Sequence, residues 1–234
     1  MEPSDLLSTV AASSAAIVDA AGTAGLDAMV PTCPGWDMAA LLRHVGAVHR
    51  WAASLVEHAA DGYEPMGGGP GEGTDLVHWF AEGSEQLVAT LTAEGPSAPV
   101  WNFAGAPAAA LFWFRRMAHE TAVHAWDAAA AAGTAAPLDA TLASDGIDEF
   151  LTVMVPRRRP EGLRGTVHVH CTDVAGEWLV DLSTMTTRRE HAKGDVALRG
   201  PASDLLLRLV GRADGGEVIG DAAVLETFTR AVRY

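Results

Sequence analysis

The residues best able to do chemistry lie in one stretch, Arg115-Arg116-Met117-Ala118-His119-Glu120-Thr121-Ala122-Val123-His124-Ala125-Trp126-Asp127. At about 100° per residue, Glu120 and His124 fall about 40° apart on one helical face, and Asp127, three residues on, returns to it. His119 points about 100° away from Glu120, so the two histidines lack the four-residue step of an H-E-x-x-H zinc-protease helix. That spacing excludes the metalloprotease reading. What remains is one carboxylate and one imidazole directed into a helical core, where a divalent ion needs at least one further ligand from another helix. His44 supplies the candidate, because it shares a stripe with Ala40, Leu41, Val48 and Trp51. Two imidazoles and a carboxylate leave coordination positions open for water or substrate, as in a catalytic rather than a closed structural site.

Plainer readings stand beside each of these residues. A lone inward histidine such as His44 is more often a hydrogen-bonded core residue than a ligand. An ionised Glu120 on an apolar face is costly unless paired or metal-bound, and Arg115 or Arg116 could pair with it. Asp127 reads either as a group orienting a ligand imidazole or as a surface or arginine-paired aspartate. Arg116 could grip a substrate carboxylate, although a structural pairing with Glu120 or Asp127 is the stronger reading. Trp36 reads as packing at the start of a helix rather than as a stacking surface for substrate. Cys33 has no general base at a defined spacing and reads as a buried, inert thiol. His168 and His170 share one face of a predicted strand, which allows a metal-binding pair but favours a solvent-facing strand edge.

The elements that must position these groups follow from hydrophobic period. Three- and four-residue steps predict a first helix over Ser4–Ala24, and Asp37 can cap a second that runs through His44 to about Ala59. The glycine- and proline-rich segment Asp61–Gly73 reads as a mobile loop, of the kind that often lies over a site. A third helix is predicted over Thr74–Ala93 and a fourth from about Pro107 to Ala132, ending at Gly133. Four such helices suggest an antiparallel bundle, from which a fifth, about Asp139 to Val155, would lead away. The basic, proline-bounded run Pro156-Arg157-Arg158-Arg159-Pro160 is taken as a solvated linker and domain junction, giving domains over 1–155 and 156–234. Beyond it the period drops to two. Strands are predicted at Thr166–Cys171, Glu177–Leu182, Val196–Leu198 and Glu217–Ile219, with helices at Ala202–Val210 and Asp221–Val232. The fold class is therefore α+β in two domains, a helical bundle and a small α+β domain.

Composition bounds the function classes. Sixteen Lys+Arg against 30 Asp+Glu give a net charge of −14 over 234 residues, which repels a phosphate backbone and excludes nucleic acid as the expected partner. Met1-Glu2-Pro3-Ser4-Asp5 lacks a basic leader region, and no run of about 18–20 residues is apolar without a charge or turn signal. The expectation is a cytoplasmic chain that does not span a membrane. Two cysteines, Cys33 and Cys171, are too few for a disulfide framework and read as thiols.

Cys33-Pro34-Gly35-Trp36-Asp37 with Leu41-Leu42-Arg43-His44-Val45-Gly46, followed by the Arg115–Asp127 stretch, resembles the mycothiol-dependent maleylpyruvate isomerase family. The likeness covers nearly the whole chain. It implies a DinB-like metal-binding four-helix bundle followed by a small sterol-carrier-protein-like α+β domain, the latter suggested by Gly200-Pro201-Ala202-Ser203-Asp204-Leu205-Leu206-Leu207 and Gly220-Asp221. Carried over, the family's metal triad falls on His44, Glu120 and His124, and the implied ion is zinc or another divalent metal. Arg212 resembles an arginine that relatives direct toward the active site, with a solvated helix end as its alternative. One departure is visible: Ala125 follows the last histidine where the family pattern usually has arginine.

The resemblance implies an enzyme that activates a low-molecular-weight thiol, mycothiol, as a thiolate for attack on a small electrophile, by isomerisation or by S-transfer. For a cis-unsaturated diacid, thiolate addition makes the carbon–carbon bond single, rotation follows, and elimination returns the trans isomer. The competing reading is a non-catalytic metal- or small-ligand-binding module of the same fold. The expected assembly is a monomer or weak homodimer.

Overall fold

The computed structural model describes residues 1–105, 107–158 and 162–232. The chain forms two compact units, Met1–Ala136 and Pro137–Tyr234. The first is built on helices α1 (Pro3–Ala24), α2 (Met38–Glu57), α3 (Leu76–Glu94) and α4 (Leu111–Ala131). Helix α1 begins with a reciprocal cap between Glu2 and Asp5, with Pro3 in the first turn where a missing N–H does no harm. Its apolar residues recur as Leu6, Val10 and Ile17, a stripe buried against α4 and α3. By length and a mean hydropathy of 1.3 α1 could cross a bilayer, but within this unit its buried face is a bundle core face.

Asp37 caps α2 by accepting a hydrogen bond from the Ala40 amide at 2.7 Å, and Asp75 caps α3 through the His78 amide at 3.1 Å. Helix α4 has no such side chain at its start. It begins later than the predicted Pro107, because Ala110 and Leu111 give their amides to the carbonyls of Ala98 and Pro96 in the preceding loop. Gly46 on α2 allows the close approach of α3, since a Cβ there would lie 2.4 Å from the Trp79 ring. The bundle core holds two clusters, one around Leu87, Leu91, Trp113 and Phe114, the other around Ile17, Met38, Leu41, Leu42, Phe80 and Cys33.

The second unit begins at Pro137, not at the predicted junction after 155. Helix α5 (Ala140–Glu149), predicted to lead away from the bundle, packs on α7 (Ala202–Leu209). It continues as a π-helical turn, Phe150–Met154, into the short helix α6 (Val155–Arg158), so the start of the basic run is helical rather than linker. Pro156 explains the π turn, because its missing N–H and its ring exclude a regular bond to the carbonyl four residues back. The Val155 amide accordingly reaches Phe150. Arg159 and Pro160 of the predicted junction lie outside the described residues.

The sheet has the order β3-β2-β1-β4-β5, from β1 (Thr166–Cys171), β2 (Glu177–Asp181), β3 (Thr186–Arg188), β4 (Val196–Gly200) and β5 (Glu217–Gly220). The β1–β4 pair is parallel and the other pairs are antiparallel. Strand β1 is therefore central, which corrects the expectation that His168 and His170 sit on a strand edge. Val167, Val169, Val180, Val196 and Leu198 are buried, and α7 and α8 (Ala222–Val232) pack against β1 and β4. The strand β3 was not predicted.

Candidate metal centre

Helices α2 and α4 bring His44, Glu120 and His124 together. His44 Nε2 lies 3.2 Å and His124 Nε2 3.3 Å from the same oxygen, Glu120 Oε1. One ligand atom from each residue lies within 4.8 Å of the others. The helical repeat brings Glu120 and His124 onto one face, and His44 enters from α2 because Leu41, Val45 and Val48 bury the same side of that helix. His44 is about one-third exposed, at 35% of its side chain, whereas His124 is buried. The triad thus has one open flank.

Arg116, one turn before Glu120, is hydrogen-bonded to Glu120 Oε2, which realises the pairing expected of it and leaves Oε1 to the imidazoles. Burial works against the ionised Glu120 carboxylate, but Arg116 and the hydrogen bonds from His124 and His44 outweigh it and hold its pKa well below the usual range.

Asp127 is fully buried, which excludes the surface reading. Its Oδ2 is 3.0 Å from His124 Nδ1, and it also accepts hydrogen bonds from Thr32 Oγ1 at 2.5 Å and Cys33 Sγ at 3.3 Å. Cys33 is thus a buried thiol with a carboxylate partner rather than a nucleophile in waiting. The turn bearing Thr32 and Cys33 closes on Gly35, whose φ of 82° favours glycine. Trp36 follows and does more than start the helix: its ring stacks with His124 at 6.0 Å and 17° and lies 4.9 Å from His44. Sequence spacing carries no sign of that contact.

The donor set fits a divalent ion. If Asp127 takes the Nδ1 proton of His124, the Nε2 that faces Glu120 carries either a second proton or a cation. Burial alone would lower the His124 pKa, yet hydrogen bonds with Asp127, Cys33 and Glu120 raise it well above the ordinary histidine value. A proton therefore fills that place when no metal does. Ligand atoms on a tetrahedral ion with bonds of about 2.0–2.1 Å stand about 3.3–3.4 Å apart. The distances of 3.2 and 3.3 Å to Glu120 Oε1 agree with that spacing.

His119, on the same helix, is buried. Arg212 follows α7 in the second unit, where its guanidinium donates to the Val210 carbonyl at 2.9 Å. His49, whose role sequence spacing does not signal, is buried five residues beyond His44, with Nε2 2.8 Å from Thr121 Oγ1.

A family model described as the mycothiol maleylpyruvate isomerase N-terminal domain matches residues 7–129, and one described as the MDMPI C-terminal domain matches residues 141–227. Among solved structures, the chain is similar to a crystal structure of the mycothiol-dependent maleylpyruvate isomerase, with a TM-score of 0.65 and 13% identity over 95% of this chain and 94% of that one. A histidine-to-alanine mutant of that enzyme gives a TM-score of 0.67 and 14% identity over the same shares. No curated protein matches the chain.

Proposed function

The chain belongs to the mycothiol-dependent maleylpyruvate isomerase family, and from that premise we propose a thiol-dependent enzyme acting on a small electrophile at the bundle centre. The observation that carries the reading is the convergence of His44 Nε2 and His124 Nε2 on Glu120 Oε1. His44, Glu120 and His124 would hold the ion, zinc by family resemblance, since two imidazoles and a carboxylate also accept neighbouring divalent metals. Such an ion lowers the pKa of a coordinating thiol, which is otherwise about 8.5, and so supplies thiolate at neutral pH.

The protein's own groups have separable tasks. Asp127 fixes the tautomer and ring orientation of His124 through Nδ1, and Thr32 and Cys33 fix Asp127 in turn. Arg116 keeps Glu120 ionised and aimed. Trp36 covers one side of both imidazoles, which limits water there. Arg212 is the candidate group for a substrate carboxylate, a role that rests on the resemblance.

Isomerisation of a cis-unsaturated acid is the most concrete form of the activity. The thiolate sulfur forms a bond to one alkene carbon, rotation about the resulting single bond follows, and elimination expels the thiolate and leaves the trans product. An electrophile with a leaving group would instead retain the thiol, giving S-transfer. Incubating metal-loaded protein with mycothiol and maleylpyruvate tests the first form: fumarylpyruvate should appear with wild type and disappear with His124→Ala. Metal binding without thiol-dependent turnover of any electrophile would leave a non-catalytic binding module.

A further inference from the structure

A second group of ligand-type side chains lies on the sheet of the second unit. The two-residue period of β1 puts His168 and His170 on the face opposite Val167 and Val169. The antiparallel register sets Glu177 of β2 across from His170, and His191 arrives from the segment after β3. Glu177 Oε1 is 3.0 Å from His170 Nδ1, while its Oε2 is 2.7 Å from His191 Nδ1 and 3.6 Å from His168 Nε2. The three rings lie 5.4 to 6.2 Å apart and meet edge to face. One ligand atom from each of the four residues lies within 4.8 Å of every other.

The cluster is not satisfied as it stands. The His168 side chain is 8% exposed, and its Nε2 is buried with no hydrogen-bond partner, the 3.6 Å approach to Glu177 being too long for one. A cation among the four heads would satisfy Nε2 and the carboxylate together. Arg199 neighbours His170 across the parallel ladder and pairs with Glu217 of β5 at 3.9 Å.

We propose that His168, His170, Glu177 and His191 form a binding site for a divalent first-row transition ion of the zinc and nickel class, separate from the bundle centre. Three imidazoles and one carboxylate suit these ions rather than calcium or magnesium, which take oxygen ligands. Four protein ligands close a tetrahedral shell, so the site is structural, tying the segment between β3 and β4 to the centre of the sheet.

The test uses metal-stripped, full-length protein carrying His44→Ala and His124→Ala, so that the bundle centre plays no part. Zinc is titrated in competition with a chromophoric chelator. The expected result is about one equivalent bound, with affinity lowered at least about tenfold by adding His191→Ala, a change at an exposed side chain. Uptake well below one equivalent, or uptake that His191→Ala leaves unchanged, overturns the site. Nitrogen NMR of the histidine rings in the otherwise wild-type chain gives an independent reading if the double variant misfolds: zinc should shift His168, His170 and His191. If only His44 and His124 shift, the bundle reading stands and this one falls.

Discussion

Asp127, with no exposed surface, accepts a hydrogen bond from His124 on the ring nitrogen that faces away from Glu120. The carboxylate thus acts on the triad through the His124 imidazole. Replacing it by asparagine preserves shape but removes the charge that favours the Nδ1–H tautomer. Asp127→Asn should weaken zinc binding by about 10–100-fold. Stability should fall by about 1–3 kcal/mol as the Thr32 and Cys33 hydroxyl and thiol lose a charged acceptor. Chelator competition and urea denaturation measure the two effects, and an unchanged zinc affinity would refute the orienting role.

Metal uptake should release protons. Without metal, hydrogen bonds with Asp127, Cys33 and Glu120 overcome burial and raise the His124 pKa well above its ordinary value, so a proton sits on the ring at neutral pH. The ion and that proton compete for Nε2. Zinc affinity at the bundle centre should therefore rise with pH, by about tenfold per unit where one proton is displaced. Indicator dye in weakly buffered solution would record the release on zinc addition, and a pH-independent affinity around neutrality would contradict it.

The triad was legible in the sequence because helical periodicity is nearly rigid: Glu120, His124 and Asp127 share a face on any regular α-helix, and the apolar residues flanking His44 turn it inward. Trp36 was not, since its contact with both imidazoles is made by a turn closing over the end of α2. The second unit was harder to read. Thr186-Thr187-Arg188 is three polar residues long, its first and last exposed, so β3 has no apolar alternation to announce it. The misplaced boundary has a similar cause: Pro156 and the arginines look like a linker, whereas a π turn carries the helix through the proline. His191 meets His168 and His170 only through strand pairing, which single-sequence periods do not encode.

Stability should also depend on pH through His49. Its Nε2 faces the Thr121 hydroxyl, which donates to the Met117 carbonyl, so the neutral ring donates to Thr121. Burial lowers the His49 pKa from 6.5 to about 4, with Arg50, His124 and His44 adding to the effect and Glu120 opposing it. Between these values the unfolded chain takes up a proton that the folded chain refuses. Stability is therefore intact above pH 6.5 and is lost as pH falls toward 4, by about 3 kcal/mol in full. Urea midpoints at neutral pH and near the lower limit should converge less steeply for His49→Gln than for wild type. Equal slopes would mean that His49 does not set the acid limb.

Gly46 on α2 packs directly against the ring of Trp79 on α3. A Cβ on Gly46 would stand 2.4 Å from Trp79 Cζ3 and 3.0 Å from Cη2, and the ring cannot simply swing away. The Arg50 guanidinium lies 4.0 Å from the centroid of the ring and in turn donates to the Trp79 carbonyl, so both the ring and its backbone are held. Gly46→Ala gains helix propensity of about 1 kcal/mol. Displacing the tryptophan costs about 1–3 kcal/mol as an overpacking strain, and the lost cation–π contact adds to that. The net expectation is destabilisation, together with a weaker bundle metal site because His44 lies two residues away on the same helix. Thermal melts and zinc titration of Gly46→Ala would check both, and a stabilised variant with unchanged zinc affinity would show that the α2–α3 interface has slack that the packing around Trp79 does not suggest.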